Sequence, residues 1–260
     1  MHMADLGDVR LHYRIDGPED GAPVVFANSL GTDMRLWDPI LPLLPAGLRI
    51  LRYDKRGHGL STCPAGPYAM GTLVSDVERL MEHTGFAGAC FVGLSIGGLI
   101  AQGLAVKRLD LVRGLVLLGT AARIGFPAHW HKRIAAVQAG GMAAVAAEMA
   151  ARWFPRNAAL AADWAARLGS MSPEGFCHVA GAIAGADFYT PTSGLRLPLL
   201  AIAGAEDGAT PPDMMRETAD LVPGSRFELV RRAGHLVPVE APDACAALMS
   251  GFLGDIGHLP

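Results

Sequence analysis

The sequence predicts an α/β protein: a mostly parallel central sheet flanked by helices, with a helical lid inserted late in the chain. Three observations predict it. Short continuous apolar runs, such as residues 24–27 (Val-Val-Phe-Ala) and 112–118, have the composition of strands buried on both faces of a parallel sheet. These runs alternate with helical patterns, as parallel pairing requires, because the chain must cross over between neighbouring strands. The alternation lapses between residues 121 and 190, an Ala-rich stretch carrying Trp130, Trp153 and Trp164 with no convincing strand, and resumes after Pro191. The expected division is a core of residues 1–120 and 191–260 and a lid of residues 121–190.

Taken in order, residues 9–15 alternate Val9, Leu11, Tyr13 and Ile15 against Arg10, His12 and Arg14, the period of a half-buried strand. Turn residues follow at 16–21, then the buried strand 24–27 and a tight polar loop, Asn28-Ser29-Leu30-Gly31-Thr32. Residues 36–44 are apolar but broken by Pro39 and Pro42, so a short helix is the most they can form. A strand is expected at 48–53 and an amphipathic helix at 72–83, with Leu73, Val77, Leu80 and Met81 on one face. Strands then fall at 89–92, 112–118, 197–203 and 226–230, the last two followed by polar loops, and a final helix at 243–253.

At 260 residues the chain fits one such domain with its insertion. Hydrophobic residues make up 51% and the mean hydropathy is +0.28, enough for a large core, while charged residues are only 18%. The net charge of −3 and a pI near 6.3 provide no basic field for nucleic acid or an anionic membrane. Cys63, Cys90, Cys177 and Cys245 show neither C-x-x-C nor Cys/His ligand spacing, so no disulfide is required and a reducing, cytoplasmic compartment is expected. The first residues lack the basic and apolar regions of a signal peptide, and Met1-His2 ahead of Met3 reads as an added extension. No apolar run is long enough to span a bilayer.

The chemistry centres on Gly93-Leu94-Ser95-Ile96-Gly97. A strand pattern runs into the first glycine and a helical pattern starts after the serine, which reads as a nucleophile elbow lifting the hydroxyl above the sheet. A serine needs a base to take its proton and an acid to orient that base. The loop after strand 197–203 offers Asp207, favoured over its neighbour Glu206, and the loop after strand 226–230 offers His235. The order Ser95, Asp207, His235 is that of one serine-triad fold and of no other familiar one. His58, flanked by glycines in an early loop, is the weaker candidate for the base. His129 and His131 have metal-like spacing but no evident third ligand. The oxyanion donors are expected to be the backbone N–H groups of Ile96, directly after the nucleophile, and of Leu30, in the loop after an early strand.

These residues resemble an α/β-hydrolase over nearly the whole chain, and more specifically the 3-oxoadipate enol-lactonases of the β-ketoadipate pathway of aromatic catabolism. The marks are Ala27-Asn28-Ser29-Leu30-Gly31-Thr32-Asp33 with Trp37, Arg56-Gly57-His58-Gly59 after Leu51-Arg52-Tyr53-Asp54, the elbow, Thr120-Ala121-Ala122-Arg123-Ile124-Gly125, Arg152-Trp153-Phe154, and Ala203-Gly204-Ala205-Glu206-Asp207. The chain departs from that pattern at Val237-Pro238. The resemblance implies the α/β-hydrolase fold and a reaction that needs no cofactor and no metal. It also implies a small lactone or ester substrate carrying a carboxylate, with no nucleic-acid or membrane partner. Such a substrate calls for a cation in the lid: Arg133, Arg123 and Arg152 are candidates and Arg133 is preferred. Trp130 and Trp153 are the aromatic candidates for substrate contact, although each also reads as lid core. The other readings are a carboxylesterase or C–C bond hydrolase on the same triad, and a ligand-binding member of the fold without turnover. Ser95 at the elbow disfavours a dehalogenase, which would need aspartate there.

Overall fold

The structure is a computed structural model that describes residues 2–259. Its strands are β1 (His2–Asp5), β2 (Arg10–Asp16), β3 (Ala22–Ala27), β4 (Leu48–Tyr53), β5 (Ala89–Leu94), β6 (Val112–Leu118), β7 (Leu199–Gly204) and β8 (Arg226–Val230). They form one eight-stranded sheet in the order β1-β2-β4-β3-β5-β6-β7-β8. The β1–β2 and β2–β4 pairs are antiparallel and all the others parallel. Every residue of β5 and of β7 is buried, which explains why these strands read as unbroken apolar runs rather than as alternating ones.

The helices α1 (Met70–Thr84), α2 (Ile96–Lys107), α8 (Pro212–Asp220) and α10 (Pro242–Asp255) accompany the sheet, with a one-turn helix α9 (Val237–Glu240) before the last. Between β6 and β7 lie α3 (Pro127–Gly140), α4 (Ala143–Trp153), α5 (Ala158–Gly169), α6 (Pro173–Ala184) and α7 (Tyr189–Ser193), with no strand among them. Helix α7 runs past the expected boundary at residue 190 and anchors back on the core, where Thr192 Oγ1 donates to Gln102 Oε1 at 2.8 Å.

Some elements differ from the sequence reading. His2 opens β1, in register with Tyr13, whereas residues 1–7 had shown no strand; Met1 lies outside the described residues. The strand is short and buries only Ala4, so it carries almost no apolar pattern. Residues 36–44 resolve into two 3-10 turns, Met34–Trp37 and Leu41–Leu43, the second opened by the proline-containing Leu-Pro-Leu. The polar stretch after β7 turns into α8, whose first position is Pro212. Helix α2 begins at Ile96, directly after the serine as expected, because Ser95 has a backbone no helix can contain.

The sheet order places the site. β3 and β5 are neighbours, but the chain leaves them towards opposite sides of the sheet, so their carboxyl ends bound a crevice. The register pairs Ala27 with Gly93, which brings the loop after β3 beside the elbow after β5.

Candidate active site

Ser95 sits at φ 58°, ψ −119°, a left-handed conformation that costs a non-glycine residue about 1–3 kcal/mol and persists only where the surroundings impose it. The flanking glycines impose it. A Cβ on Gly93 would lie 2.2 Å from the Gly97 carbonyl oxygen, and one on Gly97 would lie 2.1 Å from that of Ala27. The strand, the turn and the loop after β3 are therefore packed backbone against backbone. The Ser95 amide donates to Leu118 O at 2.9 Å and its carbonyl accepts from Thr120 Oγ1 at 2.6 Å, which pins the elbow to the end of β6.

Asp207 and His235 meet across the ends of β7 and β8, with Nδ1 of the imidazole 2.8 Å from Asp207 Oδ2. The carboxylate is held on both oxygens. Oδ1 accepts from the Ala209 and Thr210 amides at 2.7 and 2.9 Å, and Oδ2 accepts from Thr210 Oγ1 at 2.8 Å. Burial pushes this carboxyl up, but the His235 charge and these hydrogen bonds outweigh it, so Asp207 lies below the ordinary carboxylate value. Glu206, its rival in the sequence, points elsewhere and pairs with Arg156 at 3.0 Å.

The His235 loop is fastened by the insertion. Its amide donates to the Trp153 carbonyl at 2.9 Å, and the Trp153 ring lies nearly parallel to the imidazole with centroids 6.2 Å apart. The preceding Gly234 amide donates to Glu240 Oε2. Ser95 and His235 line one cavity, and neither Ser95 Oγ nor His235 Nε2 has a hydrogen-bond partner among the described residues. Both are thus free toward the cavity.

The Leu30 and Ile96 amides are equally open. Leu30 is 3% exposed and Ile96 is fully buried, yet neither N–H finds an acceptor among the described residues. The Ile96 amide is free because it opens α2, and the Leu30 amide lies in the loop beside the elbow, so two unpaired backbone donors are available near Ser95 to receive an anion. The loop carrying Leu30 is held rigidly. Asn28 Nδ2 donates to Tyr53 O at 2.9 Å, Trp37 Nε1 donates to Asn28 Oδ1 at 2.8 Å, and the Gly31 amide donates to His58 Nε2 at 3.1 Å. His58 is therefore no rival base. It is 2% exposed and kept uncharged, first by burial and then by the neighbouring Lys55 charge.

The cavity is small, about 110 Å³, and its far wall comes from the insertion, including Trp130, Arg133, Met149, Arg152 and Trp153. Trp130 and Trp153 are at once lid core and cavity wall, 9% and 3% exposed. Of the three candidate arginines, Arg123 lies away from the cavity and pairs with Asp187. Arg152 lines it but spends Nε and Nη2 on the Gly208 carbonyl. Arg133 makes no ion pair among the described residues and lies over the Trp130 ring at 5.1 Å. Burial first, and the Arg152 charge second, pull Arg133 below the ordinary guanidinium value against the opposing charge of Glu148. His129 is exposed and forms part of the cavity rim, while His131 lies off this cavity.

Sequence reading missed Thr210, Trp153 as the acceptor for His235, and Asn28 as the brace of its loop. Only the first left a signal: an aspartate two and three residues ahead of amides it can cap is an Asx-type turn.

A serine on a strained strand-to-helix turn, with acid and histidine from the next strand ends of a mostly parallel sheet, defines the α/β-hydrolase class. Residues 22–242 match the family described as the alpha/beta hydrolase fold, and the chain belongs to that family. It is 32% identical over 242 residues to 3-oxoadipate enol-lactonase 2 of Acinetobacter baylyi, covering 91% of this chain and 90% of the relative. Among solved structures it is similar to the enol-lactonase from Burkholderia xenovorans LB400, with a TM-score of 0.93, 36% identity and coverage of 97% and 100% of the two chains. It is also similar to a thermophilic esterase from Thermogutta terrifontis, with a TM-score of 0.89, 28% identity and coverage of 97% and 96%. No helix among the described residues is long and apolar enough to cross a membrane.

Proposed function

We propose that this hydrolase, an enzyme acting on carboxylic esters, opens 3-oxoadipate enol-lactone to 3-oxoadipate through an acyl-enzyme, as a step of the β-ketoadipate pathway in the cytoplasm. The observation that supports the substrate is Arg133: a cation with no ion pair among the described residues, lining a small cavity together with Ser95 and His235, and a guanidinium can hold a free carboxylate by two parallel hydrogen bonds. The volume, well under the roughly 300–1,000 Å³ of drug-sized sites, favours a compact lactone over a long acyl chain. The likeness to enol-lactonases supports the same choice.

On this reading Ser95 Oγ attacks the lactone carbonyl carbon and its proton passes to His235 Nε2, while Asp207 holds Nδ1–H and stabilises the imidazolium. The carbonyl oxygen becomes an oxyanion received by the Leu30 and Ile96 amides, donors already fixed where charge develops. The ring C–O bond then breaks. The leaving oxygen departs as an enolate, takes the proton from His235 and tautomerises to the ketone, an easier departure than that of an alkoxide. Water, deprotonated by His235, attacks the acyl-enzyme, Ser95 recovers its proton, and the second carboxylate of the product appears. Residues 121–190 act as the lid that closes over the acyl group and meets its carboxylate.

A second reading, a carboxylesterase or C–C bond hydrolase on the same groups, is favoured by the likeness to the esterase. Freshly prepared enol-lactone, followed by its ultraviolet loss beside p-nitrophenyl acetate, separates them. The proposal expects rapid loss of the lactone that vanishes in Ser95→Ala. An inert lactone beside good ester turnover would select the second reading, and inertness toward both would leave a ligand-binding member of the fold.

A further inference from the structure

The loop that carries Leu30 rests on a buried lysine. Lys55 follows β4, is 2% exposed, and donates its ammonium to the Ser29 carbonyl at 2.7 Å. Thr32 Oγ1 donates to the same oxygen at 2.9 Å. The Ser29 carbonyl and the Leu30 N–H are the two ends of one trans peptide unit, so they point in opposite directions, and whatever fixes the oxygen aims the N–H. We infer that Lys55 is a positioning residue for the oxyanion: its ammonium, seated on the Ser29 carbonyl, aims and polarises the Leu30 amide. This rests on the reading of Leu30 as an oxyanion donor.

Saturation of the carbonyl does not need a charge here. Thr32 already satisfies it, and an apolar side chain in place of Lys55 would leave it bonded. Burying an ammonium, by contrast, is expensive. Burial draws Lys55 down to about 7, against the pull of the Asp54 and Asp33 carboxylates. The other titratable neighbours are His58, held neutral on the Gly31 amide, and His12, whose Nδ1 lies 2.7 Å from Asp54 Oδ2. What the charge adds is polarisation. A donor on the carbonyl end of a peptide strengthens its N–H end, and an ionised donor does so about twice as strongly as a neutral one. The loop is thus gripped at two successive peptides, by Lys55 on Ser29 O and by His58 on Gly31 N–H, with Leu30 between them lining the same cavity as Ser95.

The test uses the full chain and Lys55→Met. Ser29-Leu30 is the only Ser-Leu step in the sequence, so serine labelled with carbon-13 at the carbonyl and leucine labelled with nitrogen-15 give a single peptide resonance for this bond. The resonance is expected to shift with a midpoint near the Lys55 value of about 7 in the native chain and to stay flat in Lys55→Met. Responses lent by other groups persist in the variant and subtract out. With p-nitrophenyl acetate, kcat should fall about 10- to 100-fold, less than the ~10²–10³ of a lost oxyanion donor, at unchanged KM. A boronic acid that forms a tetrahedral anion on Ser95 should lose affinity by the same factor. The thermal midpoint should hold or rise, because a buried charge has gone.

A resonance that does not titrate, or titrates equally in the variant, overturns the proposal. So does an unchanged kcat, or a lowered thermal midpoint with kcat and KM moving together. If Ser95→Ala retained ester turnover, the serine route and the catalytic part of this inference would both fall, whereas the resonance reads the Lys55 contact on its own.

Discussion

Two regions share the cavity and are held in place by different means. The strand-end loops present Ser95, Asp207 and His235 on backbone whose geometry is dictated by close packing: Gly93 against Gly97, Gly97 against Ala27, and the Asp207 carboxylate capping two amides of its own loop. The insertion contributes Trp130, Arg133, Met149 and Trp153 from helix faces, where each position is set by how α3, α4 and α5 pack on one another. A helix face can exchange one side chain for another at modest cost, whereas a Cβ at Gly97 has nowhere to go. On the proposed function, the comparison assigns reaction chemistry to the sheet and substrate choice to the insertion. One tie crosses the divide: the Trp153 carbonyl at the end of α4 holds the His235 amide, so the insertion also steadies the base.

Substitutions can break that division, and the largest effects should come from the sheet. Ser95→Ala should reduce kcat by about 10⁶ and Asp207→Asn by about 10⁴, the second because the imidazole is left in the wrong tautomer. Both should leave thermal unfolding within a few degrees of the native chain, read by circular dichroism. On the insertion side, Arg133→Met should raise KM for the carboxylate-bearing lactone about 10- to 100-fold, with kcat and p-nitrophenyl acetate turnover little changed, since a bidentate carboxylate pair is lost without touching the serine. Equal losses on both substrates would show that the insertion takes part in the chemistry itself and would break the comparison.

The smallest effect concerns pH. His58 is neutral when folded, with its value well below 6.5, while the unfolded chain regains the ordinary one. Below that ordinary value the unfolded state binds more protons than the native state, so stability is lost as the pH is lowered, by up to ~1.4 kcal/mol per pH unit from this group. Urea unfolding from neutral pH into the acid range should show the loss, and His58→Gln should flatten it. Asp207, depressed in the native state, adds a further loss in the same direction only at more acid pH, as its carboxylate protonates.

Much of this was legible in the chain. Residues 48–53, 112–118 and 226–230 coincide with strands to the residue; in the second, near-complete burial leaves an almost unbroken apolar run, whereas the last is only partly buried and was marked by its short apolar alternation between polar loops. The elbow was legible because its glycines answer a local steric demand, and Asp207 and His235 because a fixed strand order puts their loops at one end of the sheet. The polar helix α8 and the short strand β1 were not, since neither buries enough apolar surface to set a period.

What the sequence determined by itself was the class of fold and the three chemical groups, because both follow from local backbone rules and the order of elements. Tertiary structure alone decided which arginines line the cavity with Ser95, that the Trp153 carbonyl holds the His235 amide, and that Lys55 sits beneath the loop after β3. Those are meetings of residues far apart in the chain, fixed by packing between elements, and no local pattern encodes them.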